Sequence, residues 1–125
     1  MALAVVDASA VAALLFAEPE AEAMGERLQG GDLAAPWLLP FEVTNVAAMK
    51  LRRRSATRRA LEAGLEMLPR LGIVLYPGSA LDLLTLADRS GLTAYDAAYL
   101  GLAAALDADL VTLDRKLERA WRTAR

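Results

Sequence analysis

Leu3-Ala-Val-Val6, followed at once by Asp7-Ala-Ser9, is the stretch whose reading decides the fold. Four apolar residues in succession, two of them β-branched, suit a short strand buried on both faces, as a parallel sheet requires. Asp7-Ala-Ser9 is a turn and a cap where strand hands over to helix. Ala10 to Ala17 reads as that helix, stopped by Pro19. The same pattern returns near the other end: Asp109-Leu-Val-Thr-Leu113 is a strand, and Asp114 begins a last helix to about Thr123.

Strands and helices alternate between these ends. A helix runs from about Glu20 to Gln29 with Met24 and Leu28 four apart, and Gly30-Gly31 ends it. Asp32 to Ala35 is a weak strand closed by Pro36. Pro40 opens a long helix to about Arg54, with Phe41, Ala48 and Leu51 on or near its apolar face. Another helix spans about Thr57 to Leu68, with Leu61, Leu65 and Leu68 at helical spacing. Gly72-Ile-Val-Leu-Tyr76 reads as the best strand of the chain. Ser79 caps a helix to Arg89, and Gly91 ends it. Thr93 opens a helix whose apolar face carries Tyr95, Ala98, Tyr99, Leu102 and Leu106. This alternation predicts an α/β domain over residues 1–125, a three-layer α/β/α sandwich around a parallel sheet of four or five strands. Ligands in such sheets sit at the carboxyl ends of the strands, where strand order reverses.

Composition removes much chemistry. The 125 residues are 56% hydrophobic and include no Cys and no His. Zinc sites of the usual kind, Cys or His nucleophiles, His bases, haem and iron–sulfur clusters are excluded. Catalysis falls to carboxylates, hydroxyls, Lys or Arg, and a bound metal falls to oxygen ligands. No apolar run approaches the roughly 20 residues of a membrane helix, and the N-terminus lacks a signal peptide's basic region, so a cytoplasmic protein is expected. The net charge of −2 hides a segregation. Lys50, Arg52, Arg53, Arg54, Arg58 and Arg59 form a basic run without an acid. Arg115, Lys116, Arg119, Arg122 and Arg125 form a second around Glu118.

Four acids occupy comparable places. Asp7 and Asp114 follow the first and last strands; Glu42 and Asp96 stand in the first turns of helices opening at Pro40 and Thr93. All four are thus directed to the carboxyl edge of the sheet. Each has a purely structural alternative: Asp7 and Asp114 as N-caps, Glu42 as an acid favoured by the helix dipole, and Thr93-Ala-Tyr-Asp96 as a capping box. Yet apolar neighbours flank every one of them. Clustered carboxylates beside buried elements suffer desolvation and mutual repulsion, which a divalent cation relieves.

On these residues the chain resembles the PIN domain family, and within it the VapC-type ribonuclease toxins of toxin–antitoxin pairs. The matching segments are Val6-Asp7-Ala-Ser9-Ala, Pro40-Phe-Glu42-Val-Thr-Asn45, Leu92-Thr-Ala-Tyr-Asp96-Ala-Ala-Tyr-Leu100 and Leu110-Val-Thr-Leu-Asp114-Arg-Lys-Leu117. None is specific alone; their order and separations carry the resemblance. It implies a PIN-like sheet with the first and fourth strands adjacent, and acidic site residues at Asp7, Glu42, Asp96 and Asp114. Thr112, Asn45 and Ser9 are the supporting positions. It also implies Mg²⁺- or Mn²⁺-dependent RNA cleavage. Asp7 and Asp96 are expected to hold the principal ion directly. Asp114 and Glu42 bind it through water, hold a second ion or orient the attacking water. Family members usually end in a further short strand, for which no apolar run remains after the last helix.

Lys50, Arg52, Arg53 and Arg54 would then flank the crevice and hold phosphates, in sequence-tolerant and salt-sensitive contacts. Trp37, Tyr95 and Tyr99 are candidates for base stacking, with core packing preferred for the two tyrosines. The expected partners are RNA, a protein antitoxin and a second copy of the chain. A phospho-acceptor or phosphatase domain is the first alternative. Asp7 has no paired acid, Ser9 stands where a phosphatase has its second Asp, and Asp107-Ala-Asp109 precedes its strand. A non-catalytic RNA- or protein-binding module is the second.

Overall fold

Val5 and Val6 are both fully buried, so the opening strand, β1 (Leu3–Val6), needs cover on both faces. In the computed structural model, which describes residues 3–124, the rest of the chain supplies that cover. The elements that follow are α1 (Ala8–Leu15), α2 (Ala21–Leu28), β2 (Asp32–Pro36), α3 (Leu39–Arg52) and α4 (Arg58–Met67). After a 3-10 turn (Leu68–Leu71) come β3 (Val74–Tyr76), α5 (Ala80–Ser90), α6 (Ala94–Ala105), β4 (Asp109–Val111) and α7 (Arg115–Ala124). Arg125 of the terminal basic stretch lies outside the described residues.

The strands form one parallel sheet in the order β3-β2-β1-β4. Val5 lies opposite Ala34 of β2 and Leu110 of β4, and Ala35 of β2 opposite Leu75 of β3. Right-handed crossovers then decide the layers. The connections β1 to β2 and β2 to β3 move the same way along the sheet, placing α1 to α4 on one face. The connection β3 to β4 returns the opposite way, placing α5 and α6 on the other. Contacts agree: α1 packs on α2, α3 and α4, while α6 packs on α5, α7, β1, β2 and β4. The result is the expected three-layer sandwich, with four strands among the described residues.

Three readings of detail change. The run from Gly72 to Tyr76 is not the best strand. Only Val74–Tyr76 pairs, at a sheet edge, and Val74 is 56% exposed. Apolar composition does not distinguish an edge strand from a central one. On α3 the buried residues are Leu39, Val43 and Ala47, whereas Phe41 and Leu51 are exposed and Ala48 is half-buried. The helix begins at Leu39, and the i, i+4, i+8 row from that residue faces the core. On α6, Ala98 and Tyr99 enter the core but Tyr95 does not. Tyr95 sits in the first turn, and helical side chains tilt toward the N-terminus, past the end of the sheet.

Gly64 sets the distance between α4 and the end of α1. A Cβ there would lie 2.7 Å from the Leu15 carbonyl oxygen and 2.8 Å from the Phe16 ring. Alanine is the better helix former by about 1 kcal/mol, but overpacking costs about 1–3 kcal/mol. Backbone cannot yield as a side chain does, so the clash is expected to dominate. Gly64→Ala should lower the urea midpoint with no change in m-value; a raised midpoint would show that α4 shifts freely.

Candidate active site

Strand order reverses between β1 and β4, since β1 is followed on one side by β2 and flanked on the other by β4. Asp7 and the segment 112–114 emerge side by side at this point. The Asp7 amide donates to the Val111 carbonyl at 3.2 Å, extending the pairing one residue beyond β1. The Asp7 side chain then turns inward and is only 5% exposed.

A compact hydroxyl network holds it. Asp7 Oδ1 accepts from Ser9 Oγ at 2.7 Å and from the Ala10 amide at 3.1 Å, the latter making Asp7 the N-cap of α1. Asp7 Oδ2 accepts from Thr112 Oγ1 at 2.6 Å. Thr112 Oγ1 in turn accepts from the Asp114 amide at 2.9 Å, and Ser9 Oγ from the Leu113 amide at 2.9 Å. Two hydroxyls therefore tie the loop after β4 to the acid after β1. Asp114 caps α7, accepting from the Leu117 amide at 3.0 Å through Oδ1.

Glu42 and Asp96 reach the same edge from opposite faces of the sheet. α3 begins just after β2 ends. α6 ends just before β4 begins, so its N-terminus lies at the carboxyl edge. Thr93 Oγ1 accepts from the Asp96 amide at 3.1 Å. The capping box is closed on that side only, and among the described residues none donates a hydrogen bond to the Asp96 carboxylate. One turn further along α6, the buried Tyr99 donates its hydroxyl to Glu42 Oε1 at 2.7 Å. This bond joins α6 to α3 across the site. Tyr99 is buried, so the preferred core reading holds over base stacking; the signal for its further role is that a buried tyrosine hydroxyl requires a partner.

The four acids feel one another. Burial, above all, pushes the Asp7 carboxyl above its ordinary range. Bonds from Thr112, Ser9 and Ala10 oppose that, and Asp114 adds repulsion. Glu42 is raised by burial, eased by Tyr99, and raised again by Asp96 and Asp7. Asp96 is raised by burial, then by Asp114 and Asp7, with Lys116 opposing. Among the described residues no three carboxylates are gathered closely enough to ligate one ion together. The donor chemistry nevertheless fits a hard divalent cation: all oxygen, with the Asp96 carboxylate, Glu42 Oε2 and Asp114 Oδ2 accepting no hydrogen bond from the described residues.

Of the supporting positions, Ser9 and Thr112 bond Asp7 directly, whereas Asn45 is exposed on α3 and bonds none of the acids. The basic run lies apart. Lys50 is paired with Glu18, and Arg52 to Arg54 end α3 about 15 Å along the helix from Glu42. They flank the far end of α3 rather than the acids.

The fold and this carboxylate edge define a class, and the comparisons agree with it. A family model described as the PIN domain matches residues 4–122, and the chain belongs to that family. Ribonuclease VapC3 of Pyrobaculum aerophilum is 38% identical over 119 residues, covering 90% of each chain. The crystal structure of PAE2754 from Pyrobaculum aerophilum superposes with a TM-score of 0.76 at 26% identity, over 98% of this chain and 86% of that one.

Two expectations follow. A carboxyl whose pKa is raised by folding binds its proton more readily in the native state. Its stabilising contribution is complete below the unfolded carboxylate range, about pH 4, and is lost as pH rises through the raised value. Metal-free protein should therefore lose stability with rising pH above about 4. Asp96→Asn, which removes burial cost and repulsion together, should melt higher than wild type in EDTA at neutral pH. A lower melting temperature would make Asp96 a structural acid. Separately, Tyr99→Phe removes the bond that eases Glu42, so the Glu42 titration followed by carbonyl NMR should move to higher pH.

Proposed function

We propose that the chain is a divalent-metal-dependent endoribonuclease and the toxin of a toxin–antitoxin pair, acting as a soluble cytoplasmic protein. The observation that carries this reading is the buried Asp7, locked by Ser9 and Thr112 at the switch point, with Glu42, Asp96 and Asp114 in electrostatic reach. Family membership and the 38% identity to a ribonuclease support it.

Mg²⁺ or Mn²⁺, when bound, would polarise the phosphoryl group and make water nucleophilic near neutral pH. Asp7 and Asp96 would hold the ion directly, and Asp114 would reach it through water or hold a second ion. Ser9 and Thr112 favour the ionised Asp7 carboxylate against the effect of its burial and aim it, by donating to both of its oxygens. Glu42, oriented by Tyr99, has a free Oε2 that would orient the attacking water or take its proton. Arg52, Arg53 and Arg54, all exposed, would hold phosphates of a strand running beyond the cleavage point. An amphipathic antitoxin segment and a second copy of the chain are the proposed protein partners. The phosphatase alternative has no support from the fold, because Asp109 begins β4 at the amino edge, opposite the acids.

Cleavage of RNA should require Mg²⁺ or Mn²⁺ and stop in EDTA; undiminished cleavage in EDTA would refute the reading. Asp7→Asn and Asp96→Asn should each slow cleavage at least about a hundredfold, since a lost metal ligand removes several kcal/mol of charge stabilisation. Saturating metal should also raise the melting temperature of wild type more than that of Asp96→Asn.

A further inference from the structure

Arg115 and Lys116 open α7 directly after the capping Asp114. The helix dipole favours acids in a first turn and disfavours cations, so both residues run against the local preference. Such departures are expected where function requires them. The turn that carries them is firmly placed. Asp114 accepts from the Leu117 amide, Thr112 Oγ1 accepts from the Asp114 amide, and the Leu117 side chain is fully buried. The network that holds Asp7 therefore also holds the base of Lys116. Lys116 itself is exposed and belongs to none of the ion pairs among the described residues. Its charge nevertheless reaches the site, because α6 packs against α7. Burial, Asp114 and Asp7 raise the Asp96 carboxyl, and Lys116 draws it down. Among the described residues no other cation acts in this way on Asp7, Glu42 or Asp96. Lys50 is committed to Glu18, and Arg52 to Arg54 stand at the far end of α3.

We propose that Lys116 is a catalytic residue of this site, its ammonium contacting a non-bridging oxygen of the phosphate being cleaved. The proposal rests on the ribonuclease reading and adds a residue to its machinery. Hydrolysis forms a bond from a water oxygen to phosphorus and breaks the bond from phosphorus to the departing oxygen. The water gives up one proton and the departing oxygen gains one. Lys116 transfers none: it stays an ammonium and donates through its three N–H groups to oxygens whose charge is redistributed as the bonds change. The acids can supply no such donor. A compact charge on a flexible stem suits the task, because it can turn from Asp96 to the phosphate as substrate arrives. The exchange replaces one anionic neighbour by another, so the lysine is never left without a counter-charge.

Steady-state cleavage of a short RNA in saturating Mg²⁺ tests this. Lys116→Gln should lower kcat about 10- to 100-fold, somewhat less than the loss of an enclosed donor, and kcat/KM by more, since the contact forms on binding and strengthens as charge develops. Lys116→Arg keeps the charge and should recover most of the rate. Arg115→Gln, about 100° away around the helix, should cleave as wild type does. Raising Mg²⁺ further should not restore Lys116→Gln, because removing a cation beside the acids does not weaken their hold on metal. A raised KM with unchanged kcat, recovery at high Mg²⁺, or an equal loss in Arg115→Gln would each overturn the proposal. A second readout does not need cleavage. In the slowed Asp7→Asn protein, binding of a short single-stranded RNA is followed by fluorescence anisotropy across a salt series. Adding Lys116→Gln should make the log–log slope shallower by about 0.7, the share of one phosphate contact on a single strand. An unchanged slope would overturn the contact. Wild-type cleavage indifferent to Lys116 sinks the lysine alone, whereas a Lys116-dependent slope in a chain that cuts no RNA sinks the nuclease reading.

Discussion

The structure depends on the burial of one carboxylate. Asp7 is placed at the end of a strand with a neighbour on each side, where no water-exposed position is open to it. An ionised group so placed is tolerated only if its oxygens are paired. Ser9, the Ala10 amide and Thr112 supply the pairing, and each is already committed to another task. The Ala10 amide begins α1. Thr112 and Ser9 accept from the loop that starts α7. The charge, the start of the first helix and the start of the last are therefore one hydrogen-bonded unit, and none can move without exposing the others' polar groups.

The same unit explains the electrostatic imbalance of the edge. Three donors steady Asp7, but burial still outweighs them, and Asp114, fixed by its own cap, adds to the load. Glu42 and Asp96 arrive from the two opposite helical layers, so the sandwich itself forces like charges together. Tyr99 is the only direct bond across that gap among the described residues, joining Glu42 to the helix that carries Asp96. Its ring is fully buried between sheet and helices while its hydroxyl serves the site. Core packing and site geometry are joined in one side chain.

Much of this was legible in the sequence. Strands at Leu3–Val6 and from Asp109 onward read directly, because apolar runs and caps are local features, although the second stops at Val111 rather than Leu113. Glu42 and Asp96 could be put in first turns because Pro40 and Thr93 mark helix starts. Helix faces and strand rank were less legible. Phe41 and Tyr95 look like core residues by hydrophobicity, and Gly72-Ile-Val-Leu-Tyr76 looks like a central strand. Only the phase set by Leu39, the end of the sheet below Tyr95 and the edge position of β3 show otherwise. Lys50 and the arginines after it share a helix with Glu42, yet about ten residues of rise separate them from it.

By itself, then, the sequence determined the parallel α/β class, the absence of His and Cys side chains, and the places of four acids at strand ends and in first helical turns, since these follow from composition, local periodicity and capping. The tertiary structure decided which hydroxyls hold Asp7, that Tyr99 serves Glu42, and which aromatics remain in water. Those are contacts between residues as much as 105 positions apart in the chain, such as Thr112 and Asp7. Their partners are chosen by strand order and crossover handedness, which no local pattern encodes.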